Sequence, residues 1–304
     1  MYFIGVSTAQ SSIMRVFPKW AALLGIDAVI AGYDIPLNAP VAAYETIVAH
    51  IRNDPLACGA LVTTHKIDLL SATQSLFDEL DPYAQLCNEV SCISKRGGRL
   101  HGHAIDPITS GLAWRAFVPP QHWSRAGGHV LCFGAGGAAV AISTFAATLT
   151  PNDQPKQFVA VDCIPERLSH LKMIHRHQRN EITFDYVLND NPADNDRQMA
   201  ALPPGSMVIN ATGMGKDRPG SPVSDDANWP SGGLIWELNY RGALDFLWQA
   251  RRQADPKHLT VEDGWTYFLH GWTQAIAQVF DISLTPALFV QLAEAAQELR
   301  PPTR

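Results

Sequence analysis

The stretch His129-Val130-Leu131-Cys132-Phe133-Gly134-Ala135-Gly136-Gly137-Ala138-Ala139 decides the fold. A short apolar run reads as a buried strand, and the small residues that follow match G-x-G-x-x-A at the point where a helix begins and runs to about Leu149. Each small residue answers a steric demand. Gly134 permits the tight turn, Gly136 lets backbone approach a pyrophosphate, and Ala139 lets the helix lie close to the sheet. The free N–H groups and positive dipole end of that helix then face a phosphate. Gly134, Ala135, Gly136, Gly137 and Ala138 are therefore candidate dinucleotide-binding residues.

Downstream, Phe158–Val161 reads as a second strand ending at Asp162, 23 residues beyond Ala139 and near the spacing at which a carboxylate meets the ribose hydroxyls. That carboxylate favours NAD, with NADP as the alternative; Arg167, further along, reads as a solvated helix residue. Phe184–Val187, Met207–Asn210 and Leu234–Leu238 continue the strand series, and helices are expected over Pro165–Arg176, Asp245–Ala254, Trp265–Phe280 and Pro286–Glu298. Lys216-Asp217-Arg218-Pro219-Gly220-Ser221-Pro222 reads as a solvated loop.

Upstream, strand and helix patterns alternate again. Tyr2–Ser7, Ala28–Tyr33 and Cys58–Thr63 read as strands, Ser12–Gly25 and Pro40–Arg52 as amphipathic helices, and Lys66–Leu76 and Glu79–Cys87 as further helices broken by Asp78 or Asp81-Pro82. Glu89–Ser94 and Arg99–His103 flank Arg96-Gly97-Gly98, a hairpin signal. Pro107–Phe117 is a helix that Val118-Pro119-Pro120 ends. The fold class is α/β, with two open sheets, mostly parallel. Residues 1–107, completed by 265–304, form one domain, and 108–264 form the dinucleotide-binding domain.

Composition sets outer limits. A chain of 304 residues suits two domains, and a net charge of −6 argues against nucleic acid or an anionic membrane as partner. No apolar run reaches the length of a membrane span, and the N-terminus lacks a secretory pattern. Five cysteines without C-x-x-C spacing read as buried free thiols of a cytoplasmic protein, and His175 and His177 lie on a polar helix end, so no metal is expected. Charged residues make up only 17%, compatible with a monomer or a homodimer acting on a small molecule.

Two charged residues stand at element ends. Lys66 follows the strand Cys58–Thr63, and strand ends are where open α/β sheets present ligands; a surface lysine opening a helix is the other reading. Asp106 precedes Pro107 and reads equally as a helix cap.

The order of motifs resembles the shikimate/quinate dehydrogenase family. The residues that carry it are Gly5…Ser11, Val62-Thr63-Thr64-His65-Lys66, Gly102-His103-Ala104-Ile105-Asp106, Gly134-Ala-Gly-Gly-Ala, Asn210-Ala211-Thr212-Gly213-Met214-Gly215, Glu237-Leu238-Asn239-Tyr240 and Asp263-Gly264-Trp265. The resemblance covers nearly the whole chain. It implies a substrate domain, a Rossmann domain and C-terminal helices that return to the first. It makes Lys66 and Asp106 the catalytic pair, and it places Asn210, Thr212, Gly213 and Met214 beside the nicotinamide. Ser11, Thr63, Ser91, Tyr240 and Gln274 become substrate-binding candidates.

Departures from the family pattern are concentrated in polar substrate-binding positions. Ser11 keeps the first of two serines, but Ile13 holds the second position, with Ser12 between. Leu61 replaces an Asn, Ser91 another Asn, and Ala104-Ile105 replaces Asn-Thr. The proline before the lysine is missing and that segment is one residue shorter. Gly271 holds the position of a glutamine, with Gln274 nearly one turn later, and Glu237 replaces an Asp. A site built on specific hydrogen bonds discriminates steeply, so the expected substrate is a hydroxylated compound other than shikimate, less polar or smaller, oxidised with NAD(P). The alternatives are a true shikimate/quinate dehydrogenase and a non-catalytic dinucleotide-binding regulator. A methylenetetrahydrofolate dehydrogenase is disfavoured because Val62 stands where its Tyr-x-x-x-Lys pattern needs tyrosine.

Overall fold

The computed structural model describes residues 1–216 and 218–302; Asp217 of the expected solvated loop lies outside them. The chain forms two units, one of Met1–Asp106 with Leu269–Arg300, the other of Pro107–Phe268.

The first unit is built on a six-stranded mixed sheet. Its strands are β1 (Tyr2–Gly5), β2 (Ala31–Asp34), β3 (Gly59–Val62), β4 (Glu79–Leu80), β5 (Cys92–Arg96) and β6 (Arg99–His103), in the order β2-β1-β3-β5-β6-β4. β1 pairs in parallel with β2 and β3, whereas β5 runs antiparallel to both β3 and β6. The expectation of a mostly parallel sheet holds in this half except at β5, where the Gly97-Gly98 turn, both residues at positive φ, reverses the chain between β5 and β6. The expected break at Asp81-Pro82 is present, but what precedes it is a strand and not a helix. Glu79–Leu80 pairs with β6, and the helix begins only at Pro82, where the Asp81 carboxylate accepts the Ala84 N–H at 2.7 Å.

Ile4, Ile47, Ile51, Val62, Leu69 and Ile93 form the core of this unit. The helix Ile13–Leu24 buries Ile13, Val16, Phe17 and Trp20, the face its 3.6-residue spacing marks out, and ends at Gly25 in the left-handed region. Trp20 Nε1 donates to the Leu292 carbonyl at 2.7 Å, tying that helix to the C-terminal helix Pro286–Gln297.

The second unit carries a six-stranded, wholly parallel sheet. Its strands are β7 (Val130–Phe133), β8 (Gln157–Asp162), β9 (Thr183–Leu188), β10 (Met207–Asn210), β11 (Leu234–Glu237) and β12 (Thr260–Glu262), in the order β12-β11-β10-β7-β8-β9. That is the doubly wound order, whose reversal point lies between β7 and β10, where open α/β sheets bind ligands. β7 and β10 are buried at every residue, as strands covered on both faces must be.

Several short elements here escaped the sequence reading, among them the helices His122–Ala126 and Ala254–Lys257. β12 is only three residues long, and the helix Pro192–Ala200 has a mostly polar sequence with little periodic signal. The thiols divide: Cys87, Cys92 and Cys132 are buried as expected, while Cys58 is half-buried and Cys163 exposed. His175 lies in the last turn of the helix Pro165–Arg176, as expected, but not on a polar face of it. It is buried, stacks on Phe184 at 3.7 Å and bonds Tyr186 and Ser143, and burial holds it down to about 3, hence neutral. Among the described residues no helix is long and apolar enough to cross a membrane.

Candidate active site

Lys66 opens the helix Lys66–Thr73 immediately beyond the carboxyl end of β3. Three features set its place. Thr64 sits in the left-handed region at φ +54°, an uncommon conformation for a β-branched residue. Thr63 N–H bonds the Ile4 carbonyl at 2.9 Å, holding the strand end to β1. His65 is buried, its Nε2 bonded to the Ile35 carbonyl at 2.8 Å and its Nδ1 paired with the Tyr44 hydroxyl at 3.3 Å. A buried, doubly bonded histidine thus supplies rigidity in the segment that leads into Lys66. This anchoring role was not read from the sequence, and the unusual His next to a candidate lysine was its only signal.

Asp106 follows β6 and starts the helix Asp106–Phe117. Its Oδ2 pairs with Lys66 Nζ, the side chains being 13% and 18% exposed respectively. An ion pair so little exposed is not a solvated surface bridge, and the pairing gives Asp106 a role beyond capping. Burial pulls the Lys66 ammonium below the usual lysine range, opposed by the charges of Glu89 and Cys87. The structure therefore brings together a carboxylate and a lysine biased toward its neutral form, a combination suited to moving a proton.

Ser91 serves this pair indirectly. It is 1% exposed, and its Oγ accepts the Ile105 N–H at 2.9 Å, fixing the backbone that leads into Asp106. Ser11, Thr63 and Gln274 lie half-buried in the same unit; the side chains of Ser11 and Gln274 make no hydrogen bond among the described residues. Of the supposed pocket changes, Ile13 and Ala104 are fully buried in the core, and Leu61 and Ile105, at 7% and 6% exposure, are buried as well. Gly271 has no heavy atom within 4 Å of the position a Cβ would take, so open space stands beside it.

In the second unit the glycine loop has the form a dinucleotide requires. Gly134 has φ +100°, and a Cβ there would lie 2.6 Å from the Ala211 carbonyl oxygen, so only glycine fits. Gly136 caps the helix Gly137–Thr148 without any side-chain bond, and nothing lies within 4 Å of its missing Cβ. Ala135, Gly137 and Ala138 complete the turn, with Ala139 fully buried against the sheet. The open N-terminus and the room above Gly136 fit a pyrophosphate.

Asp162 does not present a free carboxylate. Its Oδ2 accepts the Ala135 N–H at 2.7 Å and its Oδ1 the Ile164 N–H at 2.9 Å, so it ties the glycine loop to the end of β8. The half-exposed guanidinium of Arg167 lies 3.8 Å from the same Oδ2. This arrangement removes the ground for preferring NAD to NADP.

The Asn210–Met214 loop is locked from below. Asn210 Oδ1 accepts from Thr212 N at 3.2 Å and Thr212 Oγ1 at 2.7 Å; its Nδ2 donates to Glu237 Oε2 at 2.7 Å. Thr212 Oγ1 accepts the Met214 N–H at 3.0 Å, and Gly213 turns the chain at φ +77°. Glu237 is wholly buried; burial pushes its carboxyl up to about 8, against the N–H donors of Asn239 and Asn210. The sequence reading treated Glu237 only as a variant family acid. Tyr240, also in this unit, packs its ring on Trp265 and Phe268, with centroids 5.5 and 4.5 Å away.

Comparison with known proteins bears on both halves. No family model matches the chain. The shikimate dehydrogenase (NADP(+)) of Streptococcus thermophilus is 30% identical over 177 residues, 58% of this chain and 58% of its own length. Over nearly full length the fold is that of shikimate 5-dehydrogenase from Thermus thermophilus, solved with NADP(H) and shikimate (TM-score 0.69, 22% identity, covering 97% of this chain and 98% of that one). It is also that of 5-ketofructose reductase from a Gluconobacter species (TM-score 0.65, 19% identity, 96% of each chain). In motif order and in fold the chain resembles the shikimate dehydrogenases.

Proposed function

We propose that the chain is a divergent member of the shikimate/quinate dehydrogenase family that interconverts a secondary alcohol and its ketone with NADP(H). The observation that carries this reading is the little-exposed Lys66–Asp106 pair at the carboxyl end of β3. In oxidation, neutral Lys66 hydrogen-bonds the substrate hydroxyl and takes its proton as the C–H bond gives up hydride. In reduction the ammonium returns that proton to the carbonyl oxygen. Asp106 holds Nζ in place and stabilises the cation that forms. Acid–base help of this kind is worth roughly 10²–10⁴ in rate. The dinucleotide, when bound, would supply the hydride acceptor; Gly134, Gly136 and the first turn of the helix Gly137–Thr148 would hold its pyrophosphate, and the Asn210–Met214 loop would hold its nicotinamide half.

Preference for NADP(H) is supported by Asp162, both of whose oxygens accept backbone N–H groups, and by Arg167, the cation next to it. The two relatives named with NADP point the same way. For the substrate, Leu61 and Ile105 favour a hydroxylated compound with an apolar flank, and the space beside Gly271 admits more bulk than a glutamine would. A panel of cyclic and linear hydroxy acids and polyols, shikimate and quinate included, assayed with NADP and NAD by reduced-nicotinamide absorbance, tests the reading. Turnover of at least one compound is expected. Lys66→Met should abolish it while NADPH binding, followed by fluorescence, survives; full activity in that variant, or silence across the panel, refutes the proposal.

A further inference from the structure

At the edge of the first unit's sheet, two carboxylates meet two histidines in register. Neither histidine has a part in the scheme above. β4 begins with Glu79 and is followed by Asp81; β6 carries His101 and His103. The strands are parallel, with Glu79 opposite His101 and Leu80 opposite Gly102, so the next rung sets Asp81 against His103. Residues two apart on a strand share a face, and the side chains meet accordingly. His101 Nδ1 lies 3.3 Å from Glu79 Oε2, and His103 Nδ1 lies 3.4 Å from Asp81 Oδ2. The two imidazoles stack with centroids 6.5 Å apart.

The rungs differ in weight. Glu79 is 66% exposed, so water screens its pair, whereas Asp81 and His103 are 24% and 13% exposed. Asp81 also reaches beyond β4. Its Oδ1 accepts the Ala84 N–H at 2.7 Å, which caps the helix Pro82–Cys87, and the Ala104 N–H at 3.4 Å, two residues before Asp106. His103 Nε2 has a partner in either protonation state. Unprotonated, it accepts from the Ser94 hydroxyl at 2.9 Å or the Gln278 amide at 3.2 Å; protonated, it donates to Ser94 Oγ. Charging the ring therefore strands no buried donor. Ser94 is wholly buried, which denies this Ser–His–Asp row any role as a nucleophile.

Other charges around the ladder are engaged elsewhere. Arg52 bonds Asp78, which Arg99 also faces; Arg96 pairs with Asp281, and Lys95 Nζ bonds the Ile51 and Asp54 carbonyls. Among the described residues no lysine or arginine pairs with Glu79 or Asp81. Cys92, opposite His103 on β5, and Tyr83, near Asp81, are both pushed up by burial and stay uncharged. Burial also pushes the Asp81 carboxyl up, but the bonds from His103, Ala84 and Ala104 outweigh it and hold the group below the usual carboxylate range. Asp81 is thus ionised throughout the range, about pH 5–8, in which imidazoles gain a proton.

We propose that the two histidine–carboxylate rungs form an acid-tightened clasp that fastens β4 to β6 and, through Asp81, steadies the arm that carries Asp106. A histidine that meets a carboxylate only when the strands are paired holds its proton more firmly in that state. The clasp is therefore tight at the acid end of the imidazole range and loosens as pH rises through it. Neither substrate nor dinucleotide enters the inference, so it stands or falls apart from the dehydrogenase reading.

Residue-resolved amide hydrogen exchange on the whole chain from about pH 5.5 to 8, with each rate corrected for its intrinsic chemical rate, tests it. Protection of the Asp81, Ala84 and Ala104 amides should fall about fivefold across that range, the difference between a charge-assisted and a neutral bond. His103→Gln should flatten the fall, and His101→Gln should remove only a small part of it, because Glu79 is exposed. Asp81→Asn keeps an acceptor for the Ala84 N–H and removes the charge, so it should flatten the fall as well and decides the matter if His103→Gln does not fold. Protection that does not vary with pH in the unaltered chain overturns the proposal. So does a fall that persists undiminished in His103→Gln or Asp81→Asn.

Discussion

Arg167 shows how a residue's meaning depends on its neighbour's hydrogen bonds. In the sequence it stands five positions after a carboxylate and reads as solvent-facing, which its exposure agrees with. What the sequence does not reveal is that both Asp162 oxygens are claimed by Ala135 and Ile164 N–H groups. A guanidinium is suited to a phosphate and a carboxylate to ribose hydroxyls. Arg167→Ala should therefore weaken NADPH more than NADH, by about tenfold for the loss of one charge-assisted bond, and the ratio of the two dissociation constants measures it. An unchanged ratio removes Arg167 from the site. Lys66 and Asp106 could be singled out because motif order carries them. The anchoring roles of His65 and of Ser91, which the resemblance offered as a substrate-binding residue, could not be read, since a polar residue's burial depends on packing from segments distant in sequence.

At the level of elements, the Asn210–Met214 loop depends on Glu237, a carboxyl that reaches across from β11 to β10 and the loop. Burial pushes that carboxyl up to about 8 from an ordinary value of 4.5, so between those limits the folded chain binds one more proton than the unfolded chain. The stability contribution is present below the lower limit and is lost as pH rises through the upper one. While a full proton separates the states, the slope is about 1.4 kcal/mol per pH unit. Thermal melts from pH 5 to 9 should thus show a decline that Glu237→Gln lacks, even if that variant is less stable throughout because its amide N–H₂ meets another donor. Parallel slopes in the two proteins would mean that the N–H donors outweigh burial and keep the carboxylate ionised. Strand and helix periodicities made β7, β8 and β10 readable, because wholly buried strands are continuous apolar runs. β4 and β12, two and three residues long, exist only through pairing with β6 and β11 and carry no such pattern.

At the scale of the whole molecule, a length of 304 residues and two alternating strand–helix series foretold two α/β halves, and the family resemblance implied that the C-terminal helices return to the first; the contacts that tie them there come from the structure. The helix Ile13–Leu24 buries Trp20 completely, and the indole N–H donates to the Leu292 carbonyl. Leu292 and Ala296 are themselves buried, while Lys19–Glu298, an exposed pair, adds little. Deleting residues 285–302 would uncover Trp20 and its neighbours and strand the indole donor, a loss of several kcal/mol for one unit of marginal stability. The sheet β12-β11-β10-β7-β8-β9 draws its core from Leu131, Val159, Val208, Ile235 and Phe246, none of which comes from the deleted segment. Hydrogen exchange on the truncated chain should accordingly show protection lost across β1, β2 and β3 and kept across β7, β8 and β10, with NADPH still bound and Lys66-dependent turnover gone. Loss of protection in both sheets together would show instead that the two halves unfold as one cooperative body.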